Sequence, residues 1–125
     1  MLSVAESKNI KSDLIPKIAT GFCGGLARTC GICGAVSGAV MAINIFCGRS
    51  ALDVPYEKSY VPVQKFIKMF KEKFRSTNCK ELIGIDLGTE EGRKQFHVNN
   101  MREQCRKYTE EATRLAMSLI AGESL

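Results

Sequence analysis

Cysteines are the residues of this chain whose type and spacing could do chemistry, and there are six of them. Cys30 and Cys33 form a Cys-x-x-Cys pair just before an apolar segment, and Cys79 is followed by Lys80 at the start of a short predicted helix. Cys105 lies one turn into the last predicted helix, among basic residues. Helix N-terminal amides and nearby cations favour a thiolate. These positions predict thiol–disulfide exchange through Cys30, Cys33, Cys79 and Cys105, or binding of zinc or an iron–sulfur cluster by the same four thiols.

The remaining two cysteines differ in what they can reach. Cys47 follows Cys33 by 14 residues, which is about 21 Å along a continuous helix, so the two cannot share a disulfide or a metal. We therefore expect Cys47 to pack in the core. Cys23 is flanked by Phe22 and Gly24 and could reach either cysteine of the Cys-x-x-Cys pair. For any single cysteine, an inert buried thiol is the alternative interpretation.

Other catalytic patterns find little support in the sequence. His97 is the only histidine, and no Ser-His-Asp or Cys-His arrangement is indicated by spacing. The glycines around Cys23 match neither a P-loop nor a dinucleotide-binding motif. A second Cys-x-x-Cys is absent, which weakens the zinc hypothesis.

The elements that must position these cysteines are predicted to be helices. No segment of the 125 residues shows sustained period-two alternation. The segment 33–46 is apolar on nearly every side, as expected of a helix enclosed by others, and Gly34 and Gly38 would let another backbone approach it closely. We predict an all-α single domain of four to six helices around this central apolar helix over residues 13–125, preceded by a flexible lead-in over residues 1–12.

Two amphipathic helices are predicted to pack against the central one. The first follows Pro55, with Pro62 at its start or at a kink, and the second closes the chain. A capping box beginning at Asn78 predicts the start of a further, short helix, and one beginning at Asn100 predicts the start of the last helix. The predicted core stripe of the first amphipathic helix is Val63, Phe66, Ile67, Phe70 and Phe74. That of the second is Met101, Cys105, Tyr108, Ala112, Leu115 and Leu119. The Gly-rich segment GFCGGLARTCG before the central helix is predicted to be a loop.

Charge and hydropathy limit the classes of partner that we expect. The net charge of +5 is carried by the segment 57–80, which has seven Lys or Arg and two Glu. We interpret it as a solvated helix face, because its phenylalanines lie on the opposite side, which argues against nucleic-acid binding. The uncharged segment 29–48 contains polar residues and glycines, which argues against a membrane span. Glu6 and Lys8 interrupt any signal-peptide pattern, so we predict a cytoplasmic protein.

The segments IPKIATGFCGGLARTCGICGAVSGAVMAI, NCKELIGIDL and QCRKYTEEATRLA together resemble the family of redox-active proteins named for its C, GCAxxG, C and C pattern. The resemblance covers residues from about 15 to 120 and implies a helical protein with redox or metal-binding chemistry. It implies that Cys33, Cys79 and Cys105 are family cysteines. The central motif reads CGAxxG here, and no cysteine precedes Cys23, so the role of the family's remaining cysteine is either lost or supplied by Cys30 or Cys23.

Three hypotheses follow, with thiol–disulfide exchange first and metal or cluster binding second. In the first, a Cys33 thiolate attacks and a second cysteine resolves, and a redox partner protein is expected. The third hypothesis is a non-catalytic helical module that forms a homodimer through its small-residue helix or binds anions with its lysine face.

Overall fold

The computed structural model describes residues 1–122, and within them the chain is all-α, as predicted. No β-strand is present in this described part, and the three residues that end the predicted domain, 123–125, lie outside it. The helical segments are α1 (Leu2–Ser7), α2 (Leu14–Ala19), α3 (Cys23–Arg28), α4 (Gly34–Cys47), α5 (Glu57–Phe74), α6 (Cys79–Ile83), α7 (Glu90–Val98) and α8 (Arg102–Ile120), and a 3₁₀ turn, Thr20–Phe22, joins α2 to α3.

The core forms where α4, α5 and α8 pack against one another. Ile43 of α4 and Phe66 and Phe70 of α5 are completely buried there, and full burial of such a side chain contributes about 1.5–3 kcal/mol. The side chains of both predicted stripes lie in this core or pack against it, which confirms them. The apolar helix α4 is therefore central, as its composition predicts.

Helix α5 follows Pro55, as predicted. Its N-cap is Tyr56, whose carbonyl oxygen accepts hydrogen bonds from the amides of Ser59 and Tyr60, each at 3.0 Å. Pro62 therefore lies inside the helix rather than at its start. The lysine-rich segment 57–80 has all of its lysines exposed, in agreement with a solvated face.

One of the two predicted capping boxes is confirmed. The side chain of Asn78 accepts a hydrogen bond of 3.2 Å from the amide of Glu81 at the start of α6. The other is wrong, because Asn100 has φ = 49° and ends α7 instead of beginning α8. The amides of Asn100 and Met101 donate to the carbonyls of His97 and Phe96, the arrangement that commonly closes a helix with a left-handed residue.

A short helix lies within the predicted lead-in. This is helix α1, whose Val4 and Ala5 are buried and which packs against α4 and α8. An ideal Cβ on Gly38 would lie 3.5 Å from the Met1 nitrogen. The start of the chain therefore packs closely on a glycine of α4, as the small-residue pattern predicts. A pair of small apolar residues is too short a pattern to predict such a helix from sequence. The division of the chain at residue 12 stays a prediction.

The structure has more helical segments than the four to six predicted. The additions are α1 and α3, and α3 is left-handed: its residues 24–27 have φ between 53° and 70°. The predicted loop in this Gly-rich segment is thus a 3₁₀ turn followed by a left-handed turn. No helix within residues 1–122 is long and apolar enough to span a membrane.

Candidate thiol site

The loop that carries the Cys-x-x-Cys pair is held against the segment that carries Cys79. The Cys33 amide donates to the Thr77 carbonyl at 2.7 Å, and the Cys79 amide donates to the Gly31 carbonyl at 2.9 Å. The side-chain amide of Asn78 donates to the Cys30 carbonyl at 2.7 Å. Three hydrogen bonds therefore fix the start of α4 beside the start of α6, although the two are more than 40 residues apart in sequence.

Glycines allow the left-handed turn α3 to approach Cys79 and the first residue of α4. An ideal Cβ on Gly25 would lie 2.5 Å from the Cβ of Cys79 and 3.1 Å from its sulfur, so only glycine fits there. An ideal Cβ on Gly34 would lie 3.3 Å from the Cα of Cys23, so α3 also packs closely on the first residue of α4. Glycine at φ = +70° carries no steric penalty, which suits Gly25 to this position.

Four cysteines line one cavity of about 310 Å³: Cys23, Cys33, Cys79 and Cys105. Cys23 is exposed, Cys33 and Cys105 are half-buried, and Cys79 is buried, so the thiols range from the surface to the core. Cys33 is the N-cap of α4, a helix of 14 residues, and its carbonyl accepts the amides of Val36 and Ser37. The structure thus brings together Cys33, Cys79 and Cys105, the three cysteines implied by the resemblance.

Cys30 is placed differently from the other predicted site residues. It does not line this cavity, and its thiol donates a hydrogen bond of 3.2 Å to Oδ1 of Asp86. That bond to a carboxylate raises the pKa of the Cys30 thiol, and it lowers the pKa of Asp86, which also accepts the Gly88 amide. Cys23, the other candidate for the fourth position, is the one found on the cavity wall. The catalytic role of Cys30 stays a prediction.

Burial dominates the electrostatics inside the cavity. It raises the pKa of the Cys79 thiol to about 11, with negative charge at Cys33, Cys105 and Cys30 contributing. Burial, followed by charge at Cys33, also raises the pKa of Cys105. The expectation that the helix start and Lys80 favour a thiolate at Cys79 is wrong, because removing this sulfur from water outweighs both effects.

Two further predicted features lie away from this cavity. Cys47, at the other end of the unbroken helix α4, packs against the hydrophobic core, as predicted. His97 lies in a neighbouring groove. Among the residues described, no group of three Cys, His, Asp or Glu side chains is placed to hold a metal ion, so the zinc and iron–sulfur hypotheses gain no support from the geometry.

Sequence reasoning missed two residues that shape this site. The carboxylate of Asp86 accepts a hydrogen bond from the Cys30 thiol and another, of 2.8 Å, from the Gly88 amide. The sequence Asp-Leu-Gly-Thr is a recognisable signal for a turn in which the Asp side chain accepts a backbone amide, but it does not reveal that a cysteine 56 residues away is the partner. Gly25 stands in a run of glycines, and nothing in that run shows which glycine meets Cys79.

Comparisons with known proteins agree with the cysteine pattern. A family model described as "Putative redox-active protein (C_GCAxxG_C_C)" matches residues 1–119 of the chain. No curated protein and no solved structure matches this chain.

Proposed function

The chain belongs to the C_GCAxxG_C_C family, and we propose that it carries out thiol–disulfide exchange through the cysteines of its cavity. The observation that carries this proposal is that four cysteines from separate parts of the chain line one cavity: Cys23, Cys33, Cys79 and Cys105. A core that needed only small apolar residues would not require four thiols at one place.

Cys33 is the attacking thiol in this proposal. It is half-buried rather than buried, and it is the N-cap residue of α4, beside amides that have no partners within the helix. Cys79 and Cys105 are poorer nucleophiles at neutral pH, because their raised pKa values keep them as thiols.

Cys105 resolves the intermediate. Charge at Cys33 is one cause of the raised pKa of Cys105. When Cys33 enters a mixed disulfide it carries no charge, so this contribution disappears and Cys105 ionises more easily. Cys79 experiences the same relief but is more deeply buried, with a pKa of about 11.

The reaction then proceeds in two exchanges. The Cys33 thiolate attacks one sulfur of a disulfide R–S–S–R′, the S–S bond of the substrate breaks, and R′–S⁻ leaves and takes up a proton. The Cys105 thiolate attacks the Cys33 sulfur, R–S⁻ leaves and is protonated, and a Cys33–Cys105 disulfide forms. Two electrons and two protons pass from the two protein thiols to the substrate.

The test uses fully reduced protein and the neutral disulfide bis(2-hydroxyethyl) disulfide, with release of 2-mercaptoethanol measured. We expect two thiols released per wild-type chain. Cys105→Ser should release one thiol and retain a mixed disulfide at Cys33, seen as a mass increase of the intact protein. Cys33→Ser should react at least tenfold more slowly than wild type.

Cys47→Ser is the matched control, because it removes a cysteine that packs against the same core but lies outside this cavity. It should react like wild type. If Cys33→Ser reacts as fast as wild type and differs only in stability, the proposal is wrong and the non-catalytic hypothesis is favoured.

A further inference from the structure

A second concave surface adjoins the thiol cavity and is lined by positive charge. This arginine groove, of about 520 Å³, is lined by the side chains of Arg28, Arg93 and Arg102, with His97 and Phe96 beside them. The groove and the cavity share Cys23, Gly24 and Leu87. A molecule lying in the groove would therefore reach the thiol cavity at the exposed cysteine.

The charge of this groove is not neutralised by the fold. Within residues 1–122, none of its three guanidinium groups lies within 4.0 Å of a carboxylate, whereas Arg106 and Arg114 on the last helix both form ion pairs. The protein contact of Arg93 is a hydrogen bond of 3.1 Å from Nη1 to the carbonyl of Leu87, a neutral acceptor. Three positive charges around one concave surface form a site for anions.

From this juxtaposition we infer that the substrates are small disulfides that carry carboxylates, whose acidic ends bind in the arginine groove and whose S–S bond enters the thiol cavity. The inference rests on the proposed function and adds the class of substrate. Guanidinium groups bind carboxylates through paired hydrogen bonds, which orients a flexible molecule as well as holding it. The exchange itself is the one given above, with R and R′ each bearing a carboxylate.

A charge series of disulfides tests this selection. The probes are 3,3′-dithiodipropionate with two carboxylates, neutral bis(2-hydroxyethyl) disulfide and cationic cystamine. After correction for the intrinsic reactivity of each probe with free cysteine, we expect the dicarboxylate to react at least tenfold faster than the neutral probe, and cystamine to react more slowly still. Raising the salt concentration should reduce the preference, because the arginines are near solvent.

Arg102→Gln and Arg28→Gln test the groove itself. Each should slow the reaction of the dicarboxylate about tenfold, the loss expected for one charge-assisted contact, and leave the neutral probe within twofold of wild type. Lys107→Gln is the control: it removes one positive charge from the same helix as Arg102, at an exposed residue outside the groove. It should leave both rates within twofold.

Binding without chemistry separates this inference from the proposed function. Suberate matches dithiodipropionate in chain length but has no S–S bond. Calorimetry should show suberate binding to wild type and at least fivefold weaker binding to Arg102→Gln. If no disulfide reacts but suberate binds in this way, the proposed function fails and the anion site stands. If all probes react alike and suberate does not bind, the inference is wrong.

Discussion

At the scale of single residues, Cys79 shows two opposing influences on one sulfur. Its place at a helix start and beside Lys80 predicts a lowered pKa, and sequence reasoning can go no further, because it cannot measure burial. The structure buries Cys79 against Gly25 and raises its pKa to about 11. A short helix and an exposed lysine stabilise the Cys79 thiolate by less than desolvation destabilises it. The positions of the site cysteines were thus predictable in part, but their ionisation was not.

Cys79 should accordingly be the slowest cavity thiol to react with a small alkylating reagent at neutral pH. Its reaction rate should rise until about pH 11, where the thiol ionises. In Cys33→Ser the rise should move to lower pH, because charge at Cys33 is one cause of the shift. Mass spectrometry of peptides after timed alkylation measures this. A Cys79 that alkylates as fast as exposed Cys23 at pH 7 would contradict it.

The same shift predicts a loss of stability in alkaline solution. The folded protein holds the Cys79 proton more tightly than the unfolded chain, so this contribution is complete below the ordinary pKa of 9.0 and is lost as pH rises through about 11. Denaturant unfolding between pH 8 and pH 11 should show wild type losing more stability than Cys79→Ala. Equal pH dependence in the two proteins would show that Cys79 ionises normally.

A substitution at Gly25 tests its close contact with Cys79 in the cavity wall. Gly25→Ala would place a methyl group within van der Waals overlap of Cys79 and an L side chain at φ = +70°. We expect a loss of about 2 kcal/mol in the free energy of unfolding, in the range of overpacking effects. Gly21→Ala is the control, since a Cβ there meets nothing within 4 Å. Similar losses in both variants would contradict the close approach.

At the scale of elements, the left-handed turn α3 is the part of the fold that the sequence did not reveal. A Gly-rich segment indicates that the chain departs from a regular helix, and it does. Leu26, Ala27 and Arg28 nevertheless adopt positive φ values, which side chains disfavour. The Gly25 carbonyl accepts the amides of Thr29 and Gly31, and α3 packs on α4 and α6. These long-range contacts stabilise a backbone that local preference opposes, and no local pattern records them.

Replacing an alanine in this turn should reveal its handedness. Ala27 is exposed with φ = 53°, so Ala27→Gly should raise the free energy of unfolding by up to about 1 kcal/mol, because glycine relieves the steric cost. Ala19→Gly in the right-handed helix α2 should lower it by about 0.5–1 kcal/mol. Denaturant titrations of the two variants measure the difference. A loss of stability in both would contradict a left-handed α3.

At the scale of the whole molecule, the sequence predicts the bundle well, because two long helices with regular apolar stripes pack against an apolar central helix to form the core. It also predicts that Cys47 belongs to that core. The assembly of the thiol cavity could be anticipated only through the family pattern, since Cys33, Cys79 and Cys105 meet through contacts between distant segments. Cys23 lines the cavity because the left-handed turn α3 places it there, whereas the Cys30 thiol is hydrogen-bonded to Asp86 instead. Residues of the same turn also line the arginine groove.

The most direct test of the account is to map the disulfide that forms in wild type. Reduced protein is treated with bis(2-hydroxyethyl) disulfide, remaining thiols are blocked with N-ethylmaleimide in denaturant at mildly acidic pH, where thiol–disulfide exchange is slow, and peptides are analysed by mass spectrometry. The account predicts a Cys33–Cys105 disulfide, with Cys47 recovered as an alkylated thiol. Recovery of all six cysteines as alkylated thiols, or a disulfide between any other pair of cysteines, would contradict it.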